Sequence, residues 1–319
     1  MHILITGANG FIGRHLTSKL LLAGRELRPD RLTVIDLKLD QIPANSVIRR
    51  IEGSFADEAV LAQAMDKPVD LAFHLASVPS GLAESNYPLG VQANVHGTMA
   101  LLEKLKQQGN TPTIIFASSI AVYGKPAVAE VNDDTLPTPN LSYGAQKVIG
   151  EVLLNDYVRR DWLDGCSVRL PGIVARPPEP NGAVSIFFSD LIRCLSSGEA
   201  FTCPVSASAQ SWLMSITCCI DNLLHAATLA RTESNQGSRT ANTYTLPALH
   251  VTIEDLVASI GALFPQHHVQ SLIQYAPDPW VEENFGSYPP LHCPKAEAAG
   301  FHHDGNIESL IRMSLAGQK

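Results

Sequence analysis

The chain has 319 residues, is 45% hydrophobic and carries a formal net charge of −8, with an isoelectric point of about 5.7. That length suits one large domain or two moderate ones, either able to bury a sizeable core. The acidic balance offers no basic face for nucleic acid, and Arg49-Arg50 reads as a solvated pair rather than a cationic run.

Residues 2–6 form a short apolar run that passes straight into a glycine turn. A helical pattern follows from Phe11 to Ala23, with Ile12, Leu16 and Leu20 on one stripe. Further strands are predicted at Leu32 to Ile35, ending at Asp36, and at 47–51, 69–75, 113–117 and 167–170. Between them lie helices at 57–66, with Asp57 as N-cap, at 88–108 and at 143–160. Strands rich in Ile, Leu and Val without polar alternation are buried on both faces. Their alternation with helices implies right-handed βαβ units and a doubly wound parallel α/β (Rossmann) sheet, with ligands beyond the carboxyl ends of the strands.

After Pro171 the pattern changes. Residues 176–182 are rich in proline and turn formers, and 184–196 read as an amphipathic helix. Short helices at 220–229, 253–263 and 305–314 and strands near 243–246 and 269–274 follow. The division expected is 1–173 for the domain of the parallel sheet and 174–319 for a smaller mixed α/β domain, with about 212–247 returning to the first. No apolar stretch reaches membrane-span length, and the amino terminus reads as a core strand rather than a leader. The six cysteines include no Cys-x-x-Cys pair. They read as reduced, mostly buried thiols of a cytoplasmic, soluble protein, with Cys218 and Cys219 taken to alternate across a strand.

Thr6-Gly7-Ala8-Asn9-Gly10-Phe11-Ile12-Gly13 is a G-x-x-G-x-x-G between a strand and a helix. Gly7 permits the tight turn, Gly10 a close approach of the backbone to a pyrophosphate, and Gly13 close helix–strand packing. Asp36 ends the second strand, 23 residues after Gly13, where a carboxylate accepts both ribose hydroxyls of NAD and repels the extra phosphate of NADP. His74-Leu75-Ala76-Ser77 ends the fourth strand, its small residues allowing a cofactor against the sheet edge. His74 itself reads as a satisfied core histidine, and Asn94, inside a helical pattern, implies a buried hydrogen bond. No metal site is indicated.

Tyr143 and Lys147, in Ser142-Tyr143-Gly144-Ala145-Gln146-Lys147, share one helical face. A phenol ionises near pH 10, and a neighbouring ammonium favours the phenolate, which takes the proton from a substrate hydroxyl while hydride leaves the same carbon. Phe116-Ala117-Ser118-Ser119 closes the fifth strand. Either serine hydroxyl can serve the substrate oxygen as an oxyanion donor, or simply end the strand.

These three motifs, in this order, resemble the extended short-chain dehydrogenases, a group of NAD-dependent epimerases, dehydratases and dehydrogenases. The resemblance spans essentially the whole chain. It implies Ser119 as catalytic serine, Tyr143 as acid/base and Lys147 as its helper. It implies Ser54 and Phe55 near adenine; Leu75, Ala76, Ser77, Asn94, Ser118, Pro171 and Ile173 around the cofactor; and a homodimer through helices 88–108 and 143–160. No Arg or Lys occurs between Arg193 and Arg231, and Leu170-Pro171-Gly172-Ile173 lacks the asparagine usual there. Both features argue against a nucleotide-sugar. Ala76 to Gly81, Pro180 to Ala183 with Phe187-Phe188-Ser189, and Cys203-Pro204-Val205 are similar to the branch that oxidises four-carbon sugar acids at C2, although that branch tends to carry His-Trp where this chain has Ser211-Trp212. A small anionic substrate needs a cation or several donors. Arg193 and Arg176 are candidates, with Ser80, Asn181 and Trp212 as others. The competing readings are a nucleotide-sugar epimerase that keeps its NAD, and a non-catalytic NAD sensor.

Overall fold

The computed structural model describes residues 1–178, 184–235 and 242–317. In chain order the elements begin β1 (His2–Thr6), α1 (Phe11–Leu21), β2 (Arg31–Asp36), β3 (Ile48–Glu52), α2 (Glu58–Ala64) and β4 (Leu71–His74). Next come α3 (Ser80–Ser85), α4 (Tyr87–Gly90), a π-helical turn (Val91–Gly97), α5 (Thr98–Lys106), β5 (Thr113–Ser119), α6 (Ser142–Arg159) and β6 (Asp164–Leu170). Then follow β7 (Gly172–Val174), α7 (Phe187–Ser197), β8 (Phe201–Cys203), β9 (Gln210–Ser215), α8 (Ile216–Asn235), β10 (Asn242–Thr245), β11 (Leu249–Thr252), α9 (Ile253–Leu263) and β12 (Ile273–Tyr275).

The chain divides into two compact units. The first comprises Met1–Val122, Leu141–Arg169 and Ile220–Tyr244. Its seven-stranded sheet runs β3-β2-β1-β4-β5-β6-β10, with parallel pairing at β2–β3, β1–β2, β1–β4 and β4–β5. Every residue of β1 and β4 is buried. Leu4, Ile35, Ala72, Ile114 and Phe116 pack with Leu101, Leu102, Leu105, Leu154 and Val158 of the covering helices. Reversal of strand order at β1/β4 sets the carboxyl ends of these strands as the ligand-binding edge. The predicted Asp57 cap is present, its carboxylate accepting from the Ala59 amide at 2.8 Å.

The second unit comprises Tyr123–Asn140, Leu170–Cys219 and Thr245–Lys319. It has a three-stranded sheet, β11-β9-β7, antiparallel at β9–β11 and parallel at β7–β9, and a parallel pair β8–β12. Phe187, Phe188, Leu191, Ile192 and Leu195 of α7 form its core with Leu213, Val251, Leu256, Val257 and Ile260.

Several expectations need correction. The first boundary falls at 169/170 and the returning segment is 220–244, because β9 pairs with β7 and β11 in the second unit. The excursion 123–140 also belongs to the second unit and was not expected. Helix 88–108 is interrupted by the π turn. Cys218 and Cys219 lie in the first turn of α8, so strand alternation does not apply, and both are buried. None of the six cysteines forms a disulfide.

Candidate active site

The glycine turn is built as its sequence requires. Gly7 has φ +73°, and a Cβ there would lie 2.6 Å from the Ala76 nitrogen. A Cβ on Gly13 would lie 2.1 Å from the Gly7 oxygen, whereas one on Gly10 meets nothing closer than 3.4 Å. Gly10 is the N-cap of α1, and no side chain caps that end. The turn is therefore a cradle of backbone amides at a helix N-terminus, cleared of side chains, which fits a pyrophosphate. Phe11 is buried against the ring of His15, while Ile12 is half-buried.

Asp36 closes β2 with its carboxylate turned to that turn. It accepts from the Asn9 amide at 2.9 Å and from the Leu37 amide at 2.7 Å. Ser54 is exposed, whereas Phe55 is packed into the core with its ring 5.0 Å from that of His74. Leu75, Ala76 and Ser77 follow β4 half-buried, and Ser80 opens α3. Asn94 lies in the π turn, 3% exposed. Its carboxamide oxygen accepts from the Val78 amide at 2.7 Å; its nitrogen donates to the Val78 carbonyl at 3.0 Å and to Gln146 Oε1 at 2.7 Å. The buried hydrogen bonds expected of Asn94 thus tie the segment after β4 to α6.

His74 is enclosed by hydroxyls. Its Nδ1 lies 2.7 Å from Thr6 Oγ1 and its Nε2 2.9 Å from Thr98 Oγ1. Burial, with the charge of Lys147 adding to it, pushes its pKa down to about 3. It is the satisfied neutral core histidine expected.

Tyr143 and Lys147 project from one face of α6, with Lys147 Nζ 5.5 Å from the Tyr143 ring centre and 4.9 Å from that of Phe116. Lys147 is 3% exposed and donates to the Ala117 carbonyl at 2.7 Å. Burial holds its ammonium below the usual lysine range, opposed by Tyr143 and by the carboxylate of Glu151. Tyr143 is half-buried. The two serines differ. Ser118 is 2% exposed and donates its hydroxyl to Glu151, whereas Ser119 is half-buried with its Oγ accepting from the Ala121 amide at 3.1 Å. Ser119 is therefore the serine presented at the end of β5. Sequence reasoning passed over Glu151 and Arg169, although Glu151 continues the four-residue spacing of Tyr143 and Lys147 along α6.

The substrate candidates are not gathered in this way. Asn181 lies outside the described residues. Trp212 is a correction: it is fully buried, donates Nε1–H to the Pro289 carbonyl at 2.7 Å and packs on Tyr288, so it is core and not a pocket wall. Arg193, on α7, pairs with Asp190, while its Nε is buried with no hydrogen-bond partner among the described residues. Arg176 donates Nε–H to the Ile173 carbonyl at 3.1 Å. Pro171 and Ile173 are buried in the second unit, Ile173 within β7. Among the described residues no cluster of potential metal ligands occurs.

The model of the NAD-dependent epimerase/dehydratase family matches residues 3–213. The chain belongs to that family. As a member of this family it is an NAD-dependent enzyme, and the cleared glycine cradle and Asp36 fit that cofactor. Two relatives, both D-erythronate dehydrogenases, align over nearly full length. That of Cupriavidus necator is 37% identical over 98% of this chain and 97% of its own; that of Haemophilus influenzae is 32% identical over 99% of each. The crystal structure of a nucleoside-diphosphate-sugar epimerase from Agrobacterium tumefaciens matches with a TM-score of 0.88 at 30% identity, covering 99% of this chain and 95% of its own. An L-threonine dehydrogenase from Clostridium difficile shares the fold, with a TM-score of 0.84 at 24% identity over 99% and 97% of the two chains.

Proposed function

We propose that this family member oxidises D-erythronate at C2 to 2-dehydro-D-erythronate, reducing NAD to NADH and releasing a proton. The observation that carries the chemistry is the buried Lys147, anchored on Ala117 within 5.5 Å of the Tyr143 ring centre. An ammonium at this depth is costly to bury, and its place beside Tyr143 on one face of α6 suits a helper of that phenol. Tyr143 then takes the proton of the C2 hydroxyl. Ser119 donates its hydroxyl to the same oxygen as it becomes a carbonyl. The first-turn amides of α1, at Phe11 and Ile12, hold the pyrophosphate across the cleared glycine turn, Asp36 a ribose, and Lys147 the ribose nearest the reacting carbon. The nicotinamide, when bound, supplies the hydride acceptor.

The sugar-acid substrate is supported by the two D-erythronate dehydrogenases, each aligned along nearly the whole chain. Ser80, Arg176, Asn181 and Arg193 remain the candidates for its carboxylate. The family likeness also supports a homodimer through helices 88–108 and 143–160. Met99, Ile149 and Val152 on those segments stay 45%, 42% and 61% exposed, an apolar set suited to a partner.

The test is NADH formation by the pure protein with NAD and a panel of four-carbon sugar acids and UDP-sugars. Turnover of D-erythronate alone supports the reading. Isomerisation of a UDP-sugar without NADH release replaces it with an epimerase, and NAD binding without any turnover replaces it with a sensor. Tyr143→Phe should lower kcat by about 10²–10⁴ while leaving NADH affinity unchanged; a fully active variant refutes the acid/base assignment.

A further inference from the structure

Two charged side chains of the first unit have no place in the chemistry above: Glu151, one helical turn beyond Lys147 on α6, and Arg169 of β6, which pairs with it. Glu151 is 4% exposed on α6. Its carboxylate receives Arg169 Nε on Oε1 at 2.9 Å and Arg169 Nη2 on Oε2 at 2.8 Å, a two-pronged pair with a side chain of β6. The same Oε1 accepts the hydroxyl of Ser118, which immediately precedes Ser119. Ala117, the residue before, receives Lys147 Nζ at 2.7 Å. Tyr143, Lys147 and Glu151 thus form one stripe of α6 at four-residue spacing, and that stripe grips the end of β5 at two consecutive residues.

Removing both ions of a buried pair from water costs several kcal/mol each, and well-packed apolar residues often stabilise a protein as well. A gain in stability is therefore a weak explanation for Glu151 and Arg169. What an apolar pair cannot supply is a rigid acceptor for the Ser118 hydroxyl. We propose that Glu151, locked in place by Arg169, is a positioning residue that fixes Ser118 and so sets Ser119 against Tyr143. The proposal rests on the assignment of Ser119, Tyr143 and Lys147 as the reacting set.

Four variants test it: Ser118→Ala, Ser118→Thr, the double variant Glu151→Met with Arg169→Met, and Tyr143→Phe. Each is measured for kcat, KM, NADH affinity and Tm. Ser118→Ala removes one buried hydroxyl and should lower kcat by about 10- to 100-fold, since small misplacement at a reacting centre has effects of that size. Its KM for the sugar acid should stay near that of the parent, and its Tm should fall by no more than the loss of one buried hydrogen bond accounts for. Ser118→Thr keeps the hydroxyl and should recover most of kcat. The double variant should keep its Tm but not its kcat. Full kcat in Ser118→Ala, or in a stably folded double variant, would show the network to be structural only and overturn the proposal. Should the double variant fail to fold, Ser118→Ala alone decides. Tyr143→Phe reports on the reacting set itself, so failure of that reading is visible separately.

Discussion

Protonation of His74 should be a measurable part of the acid sensitivity of this protein. Thr98 Oγ1 donates its proton to the Asn94 carbonyl at 2.8 Å, so at His74 Nε2 it can only accept. Nε2 therefore carries the ring hydrogen, and Nδ1 accepts from the Thr6 hydroxyl at 2.7 Å. A second ring proton on Nδ1 would have to turn away the hydrogen that Thr6 now donates there, and it would lie in a fully buried site that already feels the charge of Lys147. The folded pKa falls to about 3 accordingly, against an ordinary value of 6.5. A depressed histidine pKa means that the unfolded chain binds the proton and the folded one refuses it. Stability is therefore complete above pH 6.5 and falls as the pH drops from 6.5 towards 3, by about 1.4 kcal/mol per pH unit from this one group. His74→Leu removes the group and leaves the Thr6 hydroxyl without its acceptor, which costs about 1–3 kcal/mol at pH 7. Urea unfolding of both proteins between pH 7.5 and 4.5 isolates the residue, because all other titrations cancel in the difference. The parent should be the more stable at pH 7. The gap should close within roughly two pH units below 6.5. Parallel curves over that range would refute both the neutral tautomer and the depressed pKa.

Other perturbations follow from the same geometry. Gly13→Ala puts a Cβ 2.1 Å from the Gly7 oxygen and should destabilise the fold by about 1–3 kcal/mol in denaturant titrations. Gly10→Ala meets nothing closer than 3.4 Å and should instead leave Tm nearly unchanged while weakening NADH binding in a fluorescence titration. Equal losses of stability in the two would contradict the cradle assignment. Trp212→Phe breaks the bond to the Pro289 carbonyl and should lower stability by about 1–3 kcal/mol with KM for the sugar acid unchanged. Val152→Arg, on the exposed apolar face of α6, should shift the species seen by light scattering from dimer to monomer; a parent already monomeric would reject the proposed interface.

The legible parts of this chain were those whose pattern is local. The apolar runs of β1, β2 and β4 need no polar alternation because both faces are covered, and the turn from Thr6 to Gly13 writes its backbone requirement directly into glycines. Tyr143 and Lys147 were legible for the same reason, since a helix fixes the relation of residues four apart. What escaped notice depends on partners distant in sequence. Short β7 and β8 carry three residues each, too few to establish a period, and β9 exists because β7 and β11 flank it. The π turn shows no signature in its own sequence; its inward carboxamide at Asn94 is met by Val78, 16 residues before it, and by Gln146, 52 residues after it. Trp212 looked like a pocket residue because an indole beside a serine says nothing of Pro289, which satisfies its N–H from 77 residues away. Glu151 shows both sides of this limit. Its spacing from Lys147 was readable and its charge on a buried face required a partner, but which partner depended on Arg169 of β6, a strand that reaches it only when the sheet closes.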